Sequence, residues 1–171
     1  NRIYIADGHH RMDALLKLSK FKQHQNPNHT GEEAYNFFMI AIFPTSQARI
    51  LDYNRLIKDL YGYSPKDFIQ EIKKKFKVEK KNSSFKPKKS QIFGMYLEKQ
   101  WYSLELKEKP HQNLFHIINL DINLLHYYLL EPTLGIGDPR HDNRIDFLAG
   151  FHGLEGIEKK VNNGEAKVGF A

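Results

Sequence analysis

Two alternating runs in the middle of the chain restrict its fold more than any other feature. Phe93, Met95 and Leu97 alternate with Gly94 and Tyr96, and the short stretch Glu98-Lys99-Gln100 follows. Tyr102, Leu104 and Leu106 then alternate with Ser103 and Glu105. A period of two over two such runs joined by a short turn predicts a β-hairpin with one buried face. Trp101, at the start of the second run, reads as a packing residue. The flanking segments carry the other period. Ser64-Pro65-Lys66-Asp67 is a helix start, with an N-cap Ser, Pro at the first helical position and Asp in the capping-box place. Phe68, Ile72 and Phe76 follow at four-residue spacing, which gives that helix an apolar face. Asp121 reads as the cap of a helix that places Leu124, Leu125, Tyr128 and Leu129 on one face and ends at Pro132. Residues 144–148 read as a strand, Leu154, Ile157 and Val161 as one face of a helix, and residues 166–170 as a last strand.

The first third is organised around residues 3–11. Ile3, Tyr4 and Ile5 form a strand-like apolar run, Asp7-Gly8 a tight loop, and Ala14, Leu15 and Leu18 share one face of a helix expected over residues 10–22. A polar loop over 23–32 and a short helical turn at Glu33-Ala34-Tyr35 come next. Residues 36–43 then read as a strand buried on both faces, the kind found at a sheet centre. Residues 49–53 read as another strand, leading into a short helix over 54–58. Residues 79–91, with Asn82-Ser83-Ser84 and Lys86-Pro87-Lys88-Lys89, read as a mobile basic loop. No internal repeat is present. The expected class is α+β: a mixed sheet with a β-hairpin and flanking helices, in a single α/β domain over residues 1–171. The chain enters a strand directly at Asn1-Arg2 and stops within one at Ala171, so a fragment of a longer protein is expected.

Composition limits the chemistry. Among 171 residues there is no Cys, which removes disulfides, thiolate metal sites and a Cys nucleophile, and fits a cytoplasmic setting. No apolar run reaches the length of a membrane span. Lys and Arg number 26 against 20 Asp and Glu, a formal charge of +6. Much of the excess falls at Lys73, Lys74, Lys75, Lys77, Lys80, Lys81, Lys86, Lys88 and Lys89. This run is rich in Lys, has no Arg and holds few aromatics, so a solvated face plus a loop is favoured over a nucleic-acid surface.

The polar chemistry concentrates in Asp7-Gly8-His9-His10-Arg11, where strand, loop and helix are expected to meet. Gly8 lets a ligand approach the main chain. The helix start offers unpaired N–H groups and the positive end of a dipole, which suit a phosphate. Arg11 adds a donor fork, and His10 a further donor or a general acid/base. Asp7 is placed to take a proton from an attacking hydroxyl or to hold a metal. Adjacent helical residues point about 100° apart, so at most one of His9 and His10 is expected to face such a ligand. The blander alternatives are an Asp-Gly turn, Asp7 as a helix cap, and Arg11 paired with a surface carboxylate. A second polar loop, residues 135–143, carries Asp138, His141 and Asp142, which are metal-compatible but lack a spaced third partner.

Ala6-Asp7-Gly8-His9-His10-Arg11 followed by an amphipathic helix resembles domain-of-unknown-function family 1015. The resemblance extends to residues 50–56, to the hairpin with Trp101-Tyr102, to the helix from Asp121 through Glu131-Pro132, and to residues 166–170. It departs at Asp52-Tyr53-Asn54-Arg55, where the family usually has Pro-x-His-Arg; Asn54 stands in place of that His, and Arg55 is a second-site candidate. The loop also looks like the phosphate loop of the ParB/sulfiredoxin superfamily, at a strand–helix junction. Sulfiredoxins carry a reactive Cys at the position of His9, so their chemistry is excluded here. Similarity to the superfamily's free-serine kinases implies Asp7 and His10 as catalytic residues, with Asp7 the base. Gly8, His9, His10 and Arg11 would hold nucleotide phosphates, with Mg²⁺ and ATP or ADP as cofactors and a small serine-like hydroxyl compound as substrate. The alternative is a non-catalytic, nucleotide-switched regulatory or DNA-associated module.

Overall fold

The computed structural model describes residues 3–108 and 120–171, and it divides into two compact units, Asn1–Arg49 and Ile50–Ala171. The first unit is built on helix α1 (His9–Gln25), followed by single helical turns at Ala34–Asn36 and Thr45–Gln47. The loop between α1 and the first turn closes on itself. Glu33 accepts from the Thr30 and Gly31 main-chain N–H groups at 2.7 and 3.0 Å, and its carboxylate lies 2.9 Å from His29 Nδ1.

The two strands expected in this unit do not form. Residues 3–6 and 37–44 take no regular secondary structure and enter no ladder, and no residue from 3 to 49 is buried. Phe37, Ile42 and Phe43 are all exposed, and Met39 is 98 % exposed, where a strand covered on both faces had been expected. An apolar run becomes a strand only when a neighbour takes its N–H and C=O groups, and neither run has that neighbour among the described residues.

The second unit holds the sheet. Its elements run β1 (Tyr53–Ile57), α2 (Pro65–Lys75), β2 (Phe76–Lys81), β3 (Ile92–Leu97), β4 (Gln100–Leu106), α3 (Asp121–Leu125), a π-helical segment (His126–Leu130), α4 (Glu131–Leu134), β5 (Ile145–Ala149), α5 (Gly153–Asn162) and β6 (Val168–Phe170). The six strands lie in the order β2-β4-β3-β6-β1-β5. Every pairing is antiparallel, so the sheet is not mixed, while the α+β class stands.

The hairpin forms with Met95 opposite Tyr102 and Phe93 opposite Leu104. Its loop is two residues, Glu98 and Lys99, both at positive φ (48° and 61°), the left-handed pair that matches strand twist. The sheet then buries two faces. On one, Phe68 and Ile72 of α2 and Leu124, Leu129 and Leu134 of the α3–α4 stretch cover Met95, Leu104 and Phe170. On the other, Ile157 of α5 packs with Leu56, Tyr96, Trp101 and Leu148. Trp101 is a packing residue as expected, and its indole N–H donates to Glu158 at 2.6 Å.

Four local expectations are corrected here. Residues 54–57 are strand rather than helix, because they pair on both sides, with β5 and β6. Residues 79–81 belong to β2, since each faces a residue of β4, so the loop is shorter than the expected 79–91. Helical structure also passes through Pro132 to Leu134. A helical proline loses a hydrogen bond and crowds the preceding turn; the wide π turn directly before it is where the irregularity is taken up. Asp121 is the first residue of α3, and its carboxylate does not cap it; it accepts from Ser90 Oγ at 2.7 Å and Gln91 N–H at 2.8 Å. Among the described residues no helix is long and apolar enough to cross a membrane.

Candidate functional site

The residues at the start of α1 take up the loop–helix half of the expected junction, without the strand. Gly8 is left-handed (φ 80°) and immediately precedes the helix. Met12 N–H donates to the Gly8 carbonyl at 2.9 Å, so the N–H groups of His9, His10 and Arg11 lie ahead of the first intrahelical bond. No side chain caps them and no acidic residue stands in the first turn. Asp7 is therefore not the helix cap that the blander reading offered. The Arg11 guanidinium folds back over Gly8, with Nε and Nη2 3.3 Å from where a Cβ would stand. A side chain at position 8 would meet both a backbone penalty and this contact.

Asp7 and Arg11 approach each other at 3.9 Å, the outer limit of an ion pair, with side chains 90 % and 81 % exposed. Such a pair is worth little in water and leaves both groups open to another partner. The His9 and His10 rings lie with centroids 4.4 Å apart at 49°. Both residues are helical, and their rings lie beside each other. Asp7, Gly8, His9, His10 and Arg11 thus sit on one exposed turn. Among the described residues no three His, Asp or Glu side chains converge as a resident metal would need. A single carboxylate such as Asp7 suits Mg²⁺ only when phosphate oxygens supply further ligands.

Arg55 belongs to the other unit. It lies on β1, opposite Phe147 of β5 and Phe170 of β6, with Cζ 5.9 Å from the Phe147 ring centroid. Burial pushes its guanidinium below the usual arginine range, partly offset by the nearby Tyr53. Its Nε is buried without a hydrogen-bond partner among the described residues. Arg55 lines a cleft of about 320 Å³ shared with Asp52, Asn54, Lys86, Lys88, Lys89 and the apolar Ile92, Phe93, Ile122, Leu125 and Phe170. The main chain at Gly150 packs against Asp52, whose carbonyl lies 2.5 Å from where a Cβ would stand. That close approach fixes the cleft's rim beside Asp52, and Lys86 pairs with the Asp52 carboxylate. In the sequence alone these lysines read as part of a solvated loop. The signal that could have found the cleft is the run Lys86-Pro87-Lys88-Lys89 directly before a strand.

Elsewhere the basic segment is largely self-compensated. Lys74 pairs with Glu71, Lys75 with Glu108, and Lys77 and Lys81 both with Glu79. The metal-compatible loop is also structural. Arg140 grips Asp138 through two nitrogens and holds its carboxyl well below the ordinary range. Arg144 does the same to Asp142, and its guanidinium also donates to the Leu134 and Gly135 carbonyls at 2.8 and 3.0 Å, closing the end of α4.

No curated protein and no solved structure matches the chain. A family model does: the one described as protein of unknown function (DUF1015) matches residues 1–123, well over half of the length. With the Asp7–Arg11 loop and the β1 and hairpin segments all inside that match, the chain belongs to the DUF1015 family.

Proposed function

We propose that the α1 start is a phosphate-binding turn and that the chain is a nucleotide-binding protein, a kinase acting on a small serine-like hydroxyl compound. The observation that carries the reading is the uncapped start of α1, with left-handed Gly8 before it and the Arg11 guanidinium folded over that glycine. Three N–H groups and a dipole end face solvent together with a planar cation, an arrangement that suits phosphate oxygens. The resemblance of the loop to the ParB/sulfiredoxin superfamily supports the same assignment. In this reading Gly8 allows the close approach, and Arg11 with His9 or His10 binds the terminal phosphates. Asp7 takes the proton of the substrate hydroxyl as the new O–P bond forms and the bond to the β-phosphate oxygen breaks, releasing the nucleoside diphosphate. Mg²⁺, held by the nucleotide phosphates, would offset their charge.

Titration calorimetry with ATP, ADP and CTP, with and without Mg²⁺, tests the binding half. The expected result is saturable binding that Arg11→Ala and Gly8→Ala both reduce at least tenfold. Folded protein that binds none of the three, or variants that bind as the parent does, would overturn it. A coupled assay with free serine tests the transfer, and Asp7→Asn is expected to lower turnover far more than nucleotide affinity.

A further inference from the structure

We propose that the Arg55 cleft is a separate anion site, built to hold a small phosphate-bearing molecule with an apolar body. This goes beyond the loop reading and stands without it. The argument begins with the charges that face the cleft. Its side-chain carboxylates are Asp52 and Asp121, and both are engaged: Asp52 by Lys86, Asp121 by the Ser90 hydroxyl and the Gln91 N–H. Its cations are Arg55, Lys86, Lys88 and Lys89, and only Lys86 has a carboxylate partner among the described residues. Among the described residues, three cations around one concavity, Arg55, Lys88 and Lys89, are therefore left without a side-chain carboxylate partner. Arg55 is the informative one, because its Nε has been taken out of water without a hydrogen bond in return. Leaving one buried N–H of a guanidinium unpaired is costly, and an anion that reaches the fork offsets part of that cost.

Shape agrees with charge. A volume of about 320 Å³ lies at the small end of the range for small-molecule pockets, roughly 300–1,000 Å³. The apolar side is supplied by Ile92, Phe93, Ile122 and Leu125, so the ligand has a hydrophobic part as well as a charge. The polar side couples one planar fork with two flexible point charges, a set that matches the oxygens and double charge of a phosphate monoester better than a single carboxylate. Lys88 and Lys89 are exposed on the segment before β3, so they can close on a bound anion without disturbing the sheet. Arg55 is held by a strand paired on both sides, which gives the site a rigid floor.

Phenyl phosphate is the probe, with phenol and benzoate as comparators, titrated by calorimetry into the whole 171-residue chain. Phenyl phosphate is expected to bind saturably and more weakly as salt rises, with phenol at least tenfold weaker and benzoate in between. Arg55→Met is expected to abolish binding. The double change Lys88→Ala and Lys89→Ala, on exposed positions that the fold does not need, is expected to weaken it at least fivefold. Arg11→Ala should bind within twofold of the parent. Absence of binding, or equal binding by the lysine double variant, would overturn the proposal. Binding lost in Arg11→Ala but kept in the lysine variant would also overturn it, and would place the anion on the α1 turn instead.

Discussion

Single residues in this chain divide by whether their charge is answered. Glu33 is answered fully: Thr30 and Gly31 N–H groups, the Thr30 hydroxyl and the Asn36 amide all donate to its carboxylate. Those bonds, led by the Thr30 main chain, lower its pKa to about 2 from an ordinary value of 4.5. A depressed carboxyl contributes stability that is present above pH 4.5 and is lost as pH falls through about 2. Carboxyl-detected NMR of the protein should therefore show Glu33 still ionised at pH 3.5; titration with a midpoint near 4.5 would contradict the hydrogen-bonded loop. Arg55, Lys88 and Lys89 are the opposite case, cations brought to one cleft and, among the described residues, left without a side-chain carboxylate partner. Asp7 and Arg11 lie between, near each other but both exposed. The chemistry of the last pair was legible from residue types alone, because Asp-Gly-His-His-Arg concentrates donors and a carboxylate in one turn. The Arg55 cleft was legible only in part. Arg55 stood out by its place in a family segment, whereas its lysine partners come from a distant loop that pairing of the strands brings near.

At the scale of elements, what could be read was what local pattern decides. The α2 start formed as written, with Ser64 Oγ accepting from Asp67 N–H at 3.2 Å, because its cap, its proline and its apolar spacing agree. The hairpin formed for the same reason. Its turn carries a conformational cost, since Glu98 and Lys99 occupy left-handed positions that non-glycine residues adopt less readily. Replacing them with Asn and Gly is expected to stabilise the protein by about 1 kcal/mol. Urea denaturation reads this directly, and an unchanged or lower midpoint would contradict the turn geometry. The misread elements needed partners that no local pattern reveals. Residues 54–57 resemble a short helix in isolation and become β1 because β5 and β6 flank them. Residues 79–81 look like the start of a polar loop and are strand because β4 offers its edge. The apolar run at 37–43 has the composition of a central strand and no ladder to join.

At the scale of the whole molecule, the two units differ in what holds them. Residues 50–171 enclose large cores on both faces of a six-stranded sheet, whereas no residue from 3 to 49 is buried. Stability should follow that division, because slow amide exchange reports buried, hydrogen-bonded structure. Hydrogen–deuterium exchange is expected to be slowest in β3, β4 and β6 and fast throughout residues 37–44. Protection of 37–44 equal to that of β3 would contradict this picture. The functional reading follows the same division. The proposed phosphate turn is on α1 in the first unit, and the Arg55 cleft lies wholly within the second. The measurement that tests the central claim most directly is an amide-resolved NMR titration of the chain with ATP and Mg²⁺. The account predicts the largest shifts at Gly8, His9, His10, Arg11 and Met12, and their disappearance in Arg11→Ala. Shifts that leave these five amides unmoved, or that persist in Arg11→Ala, would contradict it.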